Sequence, residues 1–324
     1  MKSKTLLATA IGLISLGSVN AANAAAIATS GIQVSNFVIH KGTTTAAPIL
    51  DNSSLLNLQY VSSGSTSATL NGSTSSSGTV VSTSAAVPID LLSTMGAANP
   101  AHTDNVFNSQ AYSSAFGNPL AGSSFAFGDQ LEIGSPINNL PGAALGANLY
   151  NQSTAAIYGA GIGGATSNNG LVADWQFTAG FSDFLTFSYD VSAYLESFVA
   201  SGSLTPTSAQ AGGSIQFLLT DINDINSGNN LLSGATSFTW TTGRNAPLGN
   251  GLPSVAGLIT GLGVPALNTA VTATTTSALV AGRSYNLTAN IFTSANVQSV
   301  PEPGMLALMG LGLLSMASMR KRQA

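Results

Sequence analysis

The chain has 324 residues, no cysteine, and only 6% charged side chains with a net charge of −4, against about 25% charged in an ordinary globular domain. The missing cysteine excludes disulfide frameworks, thiol catalysis, thiolate metal sites and a lipidated-cysteine anchor. Between Ala25 and Ser299 only Lys41, Arg244 and Arg283 oppose eleven carboxylates, a net of −8, the wrong sign for a nucleic-acid partner. Gly and Pro number 35 and 12, too few for a collagen-like chain, and 44% apolar residues supply a sizeable core.

Residues 1–24 read as a secretory signal. Lys2 and Lys4 form a positive start, Leu6 to Val19 an apolar stretch, and Ala22-Asn23-Ala24 the small residues that signal peptidase accepts. The expected cut follows Ala24. The exported body is then 25–299, and the remainder, 300–324, is a separate C-terminal signal.

Within the body, Gln33–His40 predicts a first strand. Ser62 to Ser84 contains 15 Ser or Thr among 23 residues, without charge or aromatic ring. Such a segment fills no core by itself, and its composition favours a flexible surface loop over a pair of polar edge strands. Asn138–Gly170 reads as a second irregular zone. Later segments alternate with period two. Leu185, Phe187, Tyr189 and Val191 oppose Thr186, Ser188 and Asp190. Ile215, Phe217 and Leu219 form a second such set, and Tyr285, Leu287, Ala289 and Ile291 a third. Ser237–Thr242 adds a short strand. This is the pattern of half-buried antiparallel strands. After Asp190, the spacing of Val191, Tyr194, Leu195, Phe198 and Val199 predicts one short helix. The expected fold class is all-β, a mainly antiparallel sandwich or jelly roll with that helix.

Chemistry-bearing motifs are sparse. His102-Thr103-Asp104 lacks a G-x-S-x-G nucleophile elbow and reads as a polar loop, and His40 is the other imidazole. Gly159, Gly161 and Gly164 match G-x-G-x-x-G, but loop residues follow where a dinucleotide site needs a helix. Asp129, Glu132, Asp174, Asp183, Asp190 and Glu196 are candidate glycosidase carboxylates. Trp175 and Trp240 are candidate sugar-stacking rings, set in strand contexts where core packing is the commoner fate. Asp221, Asn223, Asp224 and Asn226 carry oxygens that suit Ca²⁺, although their spacing departs from the EF-hand loop and reads first as a hairpin turn. No other cofactor is expected.

The C-terminal signal is the most specific feature. Val300-Pro301-Glu302-Pro303-Gly304 precedes an apolar run, Met305 to Met319, and the basic cluster Arg320-Lys321-Arg322. Consecutive X-Pro units resist helix. The apolar run spans about 22 Å as a helix, marginal for a hydrocarbon core of roughly 30 Å. Its basic end should stay cytoplasmic by the positive-inside rule. These residues closely resemble the PEP-CTERM sorting signal of Gram-negative bacteria. The resemblance implies recognition at Pro301–Gly304 by exosortase, an integral-membrane enzyme, and removal of the helix. It further implies a transient hold in the inner membrane and delivery to the cell surface or extracellular matrix. Val34–Ile39, Leu185–Phe198, Ser214–Thr220 and Ser284–Pro303 resemble, more loosely, the exosortase-dependent surface-associated (EDSAP-type) proteins. That family implies export without a defined activity.

The sequence thus points to a non-enzymatic exported surface or matrix protein linked to exopolysaccharide or biofilm. Its processing partners are signal peptidase and exosortase, and its contacts polysaccharide or further copies of itself. A secreted carbohydrate-binding module or glycoside hydrolase is the rival reading.

Overall fold

The computed structural model describes residues 25–46, 54–83, 89–96, 124–137, 144–158, 163–199, 207–224, 230–234, 236–241 and 269–299. In chain order the strands are β1 (Ala25–Lys41), β2 (Leu55–Leu70), β3 (Ser73–Ser82), β4 (Ile89–Gly96), β5 (Phe125–Ile133), β6 (Ala147–Tyr158) and β7 (Gly163–Ala179). They continue with β8 (Leu185–Val199), β9 (Ser208–Asp221), β10 (Leu232–Gly234), β11 (Ser237–Thr241), β12 (Thr269–Thr275) and β13 (Ser284–Ser299). They form a seven-stranded sheet, β10-β12-β8-β1-β6-β5-β4, and a six-stranded sheet, β11-β9-β13-β7-β2-β3. Neighbouring strands run antiparallel throughout, and the two sheets pack face to face as a sandwich.

The period-two segments are strands as expected. Phe187 and Tyr189 on β8, Phe217 on β9 and Trp175 on β7 all point inward and are fully or almost fully buried. Phe37 lies at their centre, with ring centroids 5.1 Å from Phe217, 5.5 Å from Trp175 and 6.2 Å from Phe187. It reaches that position through a bulge. The register of β1 shifts between Val34 and Phe37 against β6 and between Ser35 and Val38 against β8. Asn36 takes a positive φ of 54° there, and the extra residue returns the apolar phase to the interior. Outside, the Asn36 amide donates to Asp190 at 2.7 Å.

Three expectations are corrected. Val191–Val199 is the second half of strand β8, not a helix, and no helix occurs among the described residues. Residues 191–197 are buried without alternation because both faces of the seven-stranded sheet are covered here. A strand buried on both sides reads as a continuous apolar run, whose i, i+3, i+4 subset mimics a helical face. The Ser/Thr-rich segment is not a loop. It folds as the β2–β3 hairpin, turned at Asn71-Gly72 with φ of 50° and 83°, where both residues must adopt the left-handed conformation. The zone 138–170 is largely strand as well, since β6 and the start of β7 fall within it.

Candidate functional site

The solvent face of the six-stranded sheet is built from the residues between the buried ones. Tyr60, Trp175, Phe177, Tyr285, Leu287 and Leu219 face the core, so their neighbours face out. Gln59 on β2 pairs with Gln176 on β7, Gln176 with Asn286 on β13, and Asn286 with Thr220 on β9. Four polar side chains therefore cross four strands in one row, about 14 Å long at the usual strand spacing. They floor a shallow depression of about 450 Å³, bordered by Val61, Asp174 and Ile222. Asp174 accepts hydrogen bonds from Thr288 and, at 3.3 Å, from the Asn286 amide. Each amide offers both donors and acceptors. Farther along the same face Phe292 is 45% exposed.

The candidate carboxylates are not gathered into a pair. Asp129 and Glu132 lie on opposite faces of β5. Glu132 turns inward and accepts from Tyr60 and Ser62 of the other sheet, whereas Asp129, in register with Gln152, faces away from that sheet. Glu196, which accepts from the Tyr194 hydroxyl at 2.7 Å, shares the outward face with Asp129. Three strand intervals separate them, about 14 Å, beyond the roughly 5–9.5 Å that glycosidases use. Asp174 lies on the solvent face of the other sheet. Asp190 holds Asn36, and Asp183 accepts from the Phe184 amide at 2.8 Å.

Burial pushes the Glu132 carboxyl up to about 7, against the lowering effect of its two hydroxyl donors. The same burial, followed by the nearby Glu132 charge, raises the Tyr60 phenol. Glu132 is enclosed, at 2% exposure. Sequence reasoning singled out Glu132 but missed Tyr60 and Ser62. Their i, i+2 spacing places them on one face of a strand, a signal that becomes readable only once 55–70 is known to be a strand.

His40 is buried, with its Nε2 2.7 Å from the Ser188 hydroxyl; 102–104 lie outside the described residues. Gly159 and Gly161 also lie outside them, and Gly163 and Gly164 open a strand, not the helix that a dinucleotide loop requires. Trp175 is 1% exposed and cannot stack on a sugar, and the Trp240 side chain is outside the description. In the calcium candidate, Asp221 closes a turn by accepting the Asn223 amide at 2.9 Å and pairs with Arg283 at 3.1 Å. Asn223 in turn accepts the Ser284 amide at 2.6 Å. These oxygens are committed to the turn and the ion pair. Asn226 falls outside the described residues, and no metal-holding group of His, Asp or Glu occurs among those described.

The residues expected to direct processing flank the sandwich. Ala22 and Ala24 precede β1, and Pro301, Glu302, Pro303, Gly304, the run 305–319 and Arg320, Lys321, Arg322 follow β13; all lie outside the described residues. No curated protein and no solved structure matches the chain. A family model does match at residues 299–322, that of the PEP-CTERM protein-sorting motif. The motif implies sorting by exosortase, with export and membrane anchoring before release to the surface or medium. The chain carries a PEP-CTERM protein-sorting motif directly after the last strand of its sandwich.

Proposed function

We infer that this is a non-enzymatic surface or matrix protein whose six-stranded sheet presents a neutral, amide-lined face to polysaccharide. The row Gln59–Gln176–Asn286–Thr220 carries the reading. It offers both donors and acceptors on a shallow open surface beside a single carboxylate, and neutral hydroxyl-rich polymers are the ligands such a surface complements. The dispersal of Asp129, Glu132, Asp174 and Glu196 supports binding over hydrolysis. The looser resemblance to exosortase-dependent surface-associated proteins supports a role at the cell surface or in a biofilm matrix.

The test is retention of the protein purified from its own cells on insoluble neutral polysaccharides and on the cells' own exopolymer. Retention that falls at least tenfold in the Gln176→Ala/Asn286→Ala double variant supports the reading. Equal retention of the two proteins, or none by either, overturns it. Release of reducing sugar would instead establish the hydrolase reading.

A further inference from the structure

The first and last strands of the sandwich share one end of it. β1 starts at Ala25, opposite Tyr158 of β6. β13 finishes at Ser299, opposite Gly163 of β7, with Gln298 also paired to Ser208 of β9. The two sheets keep this alignment along their length. A Cβ on Gly213 would meet Ser30 and Ile32, and the Asn151 amide bridges to the Ile291 carbonyl at 3.2 Å. The β2–β3 turn joins the same end, where the Asn71 amide donates to the Gly164 carbonyl at 2.8 Å.

Charge is distributed unevenly along the strand axis. Among the described residues, the charged side chains that are not buried are Lys41, Asp90, Asp174, Asp183, Asp190, Asp224 and Arg283. Asp90 is level with Gln33, midway along β1, through Leu131 and Tyr150, and the others lie farther from the Ala25–Ser299 end. Among the described residues, the near half exposes only Ser, Thr, Asn, Gln and apolar side chains.

We propose that this end, where no described side chain exposes a charge, is the surface which the sorting intermediate rests on the lipid bilayer, with its strands roughly along the membrane normal and the exposed carboxylates of the described strands held away. Chain length enforces the proximity. Five residues separate Ser299 from Met305, where the apolar run begins, and even fully extended the six steps between them reach only about 20 Å. β13 is hydrogen-bonded on both sides out to Gln298, so no slack can be drawn from it without breaking two ladders. Electrostatics favours the orientation. An acidic body is repelled by anionic headgroups within a Debye length, about 8 Å at physiological salt, and this is the end at which the described strands expose no carboxylate to that layer. The expected signal-peptidase cut after Ala24 would lie at the same end, flush with β1. Both processing steps would then act on one face of the folded body. None of this depends on the polysaccharide reading.

The absence of cysteine makes the test clean. Full-length chain carrying its C-terminal segment is placed in phosphatidylethanolamine/phosphatidylglycerol vesicles that contain a headgroup-attached nitroxide. Fluorophores are attached at single cysteines on exposed positions, Ser73→Cys and Thr74→Cys at the near end, Thr44→Cys and Ala281→Cys at the far end. A strand of β1's length spans about 55 Å, beyond quencher range. Quenching at least fivefold stronger at both near positions than at both far ones is the expected result. Comparable quenching at the two ends, as for a sandwich lying on one sheet, overturns the proposal. So does failure of the full-length chain to float with the vesicles, since the anchor that fixes the orientation would then be missing.

Discussion

The hydroxyl of Tyr60, on one sheet, donates to the carboxyl of Glu132, on the other, so an ionisable contact bridges the two halves of the sandwich. Ser62 donates to the second carboxyl oxygen. Glu132 is otherwise enclosed, with Ile89 and Leu149 beside it in its own sheet.

A pH dependence of stability follows. The folded carboxyl titrates at about 7 against an ordinary value of 4.5, so between those values the native state holds a proton that the unfolded chain has lost. Stability from this group is complete below pH 4.5, declines as pH rises, and is gone above 7, a change of about 3 kcal/mol at 1.36 kcal/mol per unit. Glu132→Gln should remove this slope and be more stable than the parent at pH 8. Urea titrations from pH 4 to pH 8 measure both, and parallel curves for the two proteins would refute the assignment.

Trp175 separates the core from the solvent face of its sheet. Truncating a buried tryptophan that packs on Phe37 and Tyr60 should cost about 3–5 kcal/mol. Trp175→Ala is therefore expected to lower the melting temperature sharply, and Asn286→Ala, at a half-exposed position, to leave it within a few degrees. Calorimetry of both variants decides whether a loss of retention reflects binding or unfolding.

At the far end of the sandwich, Arg283 neutralises Asp221 and the turn amide occupies its other oxygen. Millimolar calcium should leave the melting temperature within about 1 °C of the value in chelator. A rise of several degrees would show a cation displacing Arg283, since a ligand bound only by the native state stabilises it by mass action.

The turn at Asn71-Gly72 defines the β2–β3 hairpin. Gly72 has open space around a Cβ but a φ of 83°. Gly72→Ala should therefore cost about 1 kcal/mol through backbone strain alone. The denaturation midpoint of the variant measures it, and an unchanged midpoint would mean the hairpin contributes nothing to global stability.

Legibility tracked the environment of each strand. β9 and β13 bury one face, so their side chains alternate and the strands could be read directly. β8 begins the same way at Leu185–Val191, but beyond Val191 both faces are covered and the alternation ends, which produced a helical reading of Tyr194 and Leu195. β3 lacks a large apolar phase, so composition alone reads 62–84 as a loop and overrides its local hairpin signal, Asn71-Gly72. The amide row was invisible for a related reason, because Gln59 and Gln176 are 117 positions apart in the chain and only sheet pairing aligns them.

The sequence by itself determined the sorting motif and the all-β class, because a processing signal and a two-residue period are both properties of contiguous residues. Tertiary structure decided which carboxylates share a face, which tryptophan is core, and that Ala25 and Ser299 emerge together. Each of these depends on strand order and register, fixed by long-range hydrogen bonding and burial that no local stretch of sequence contains.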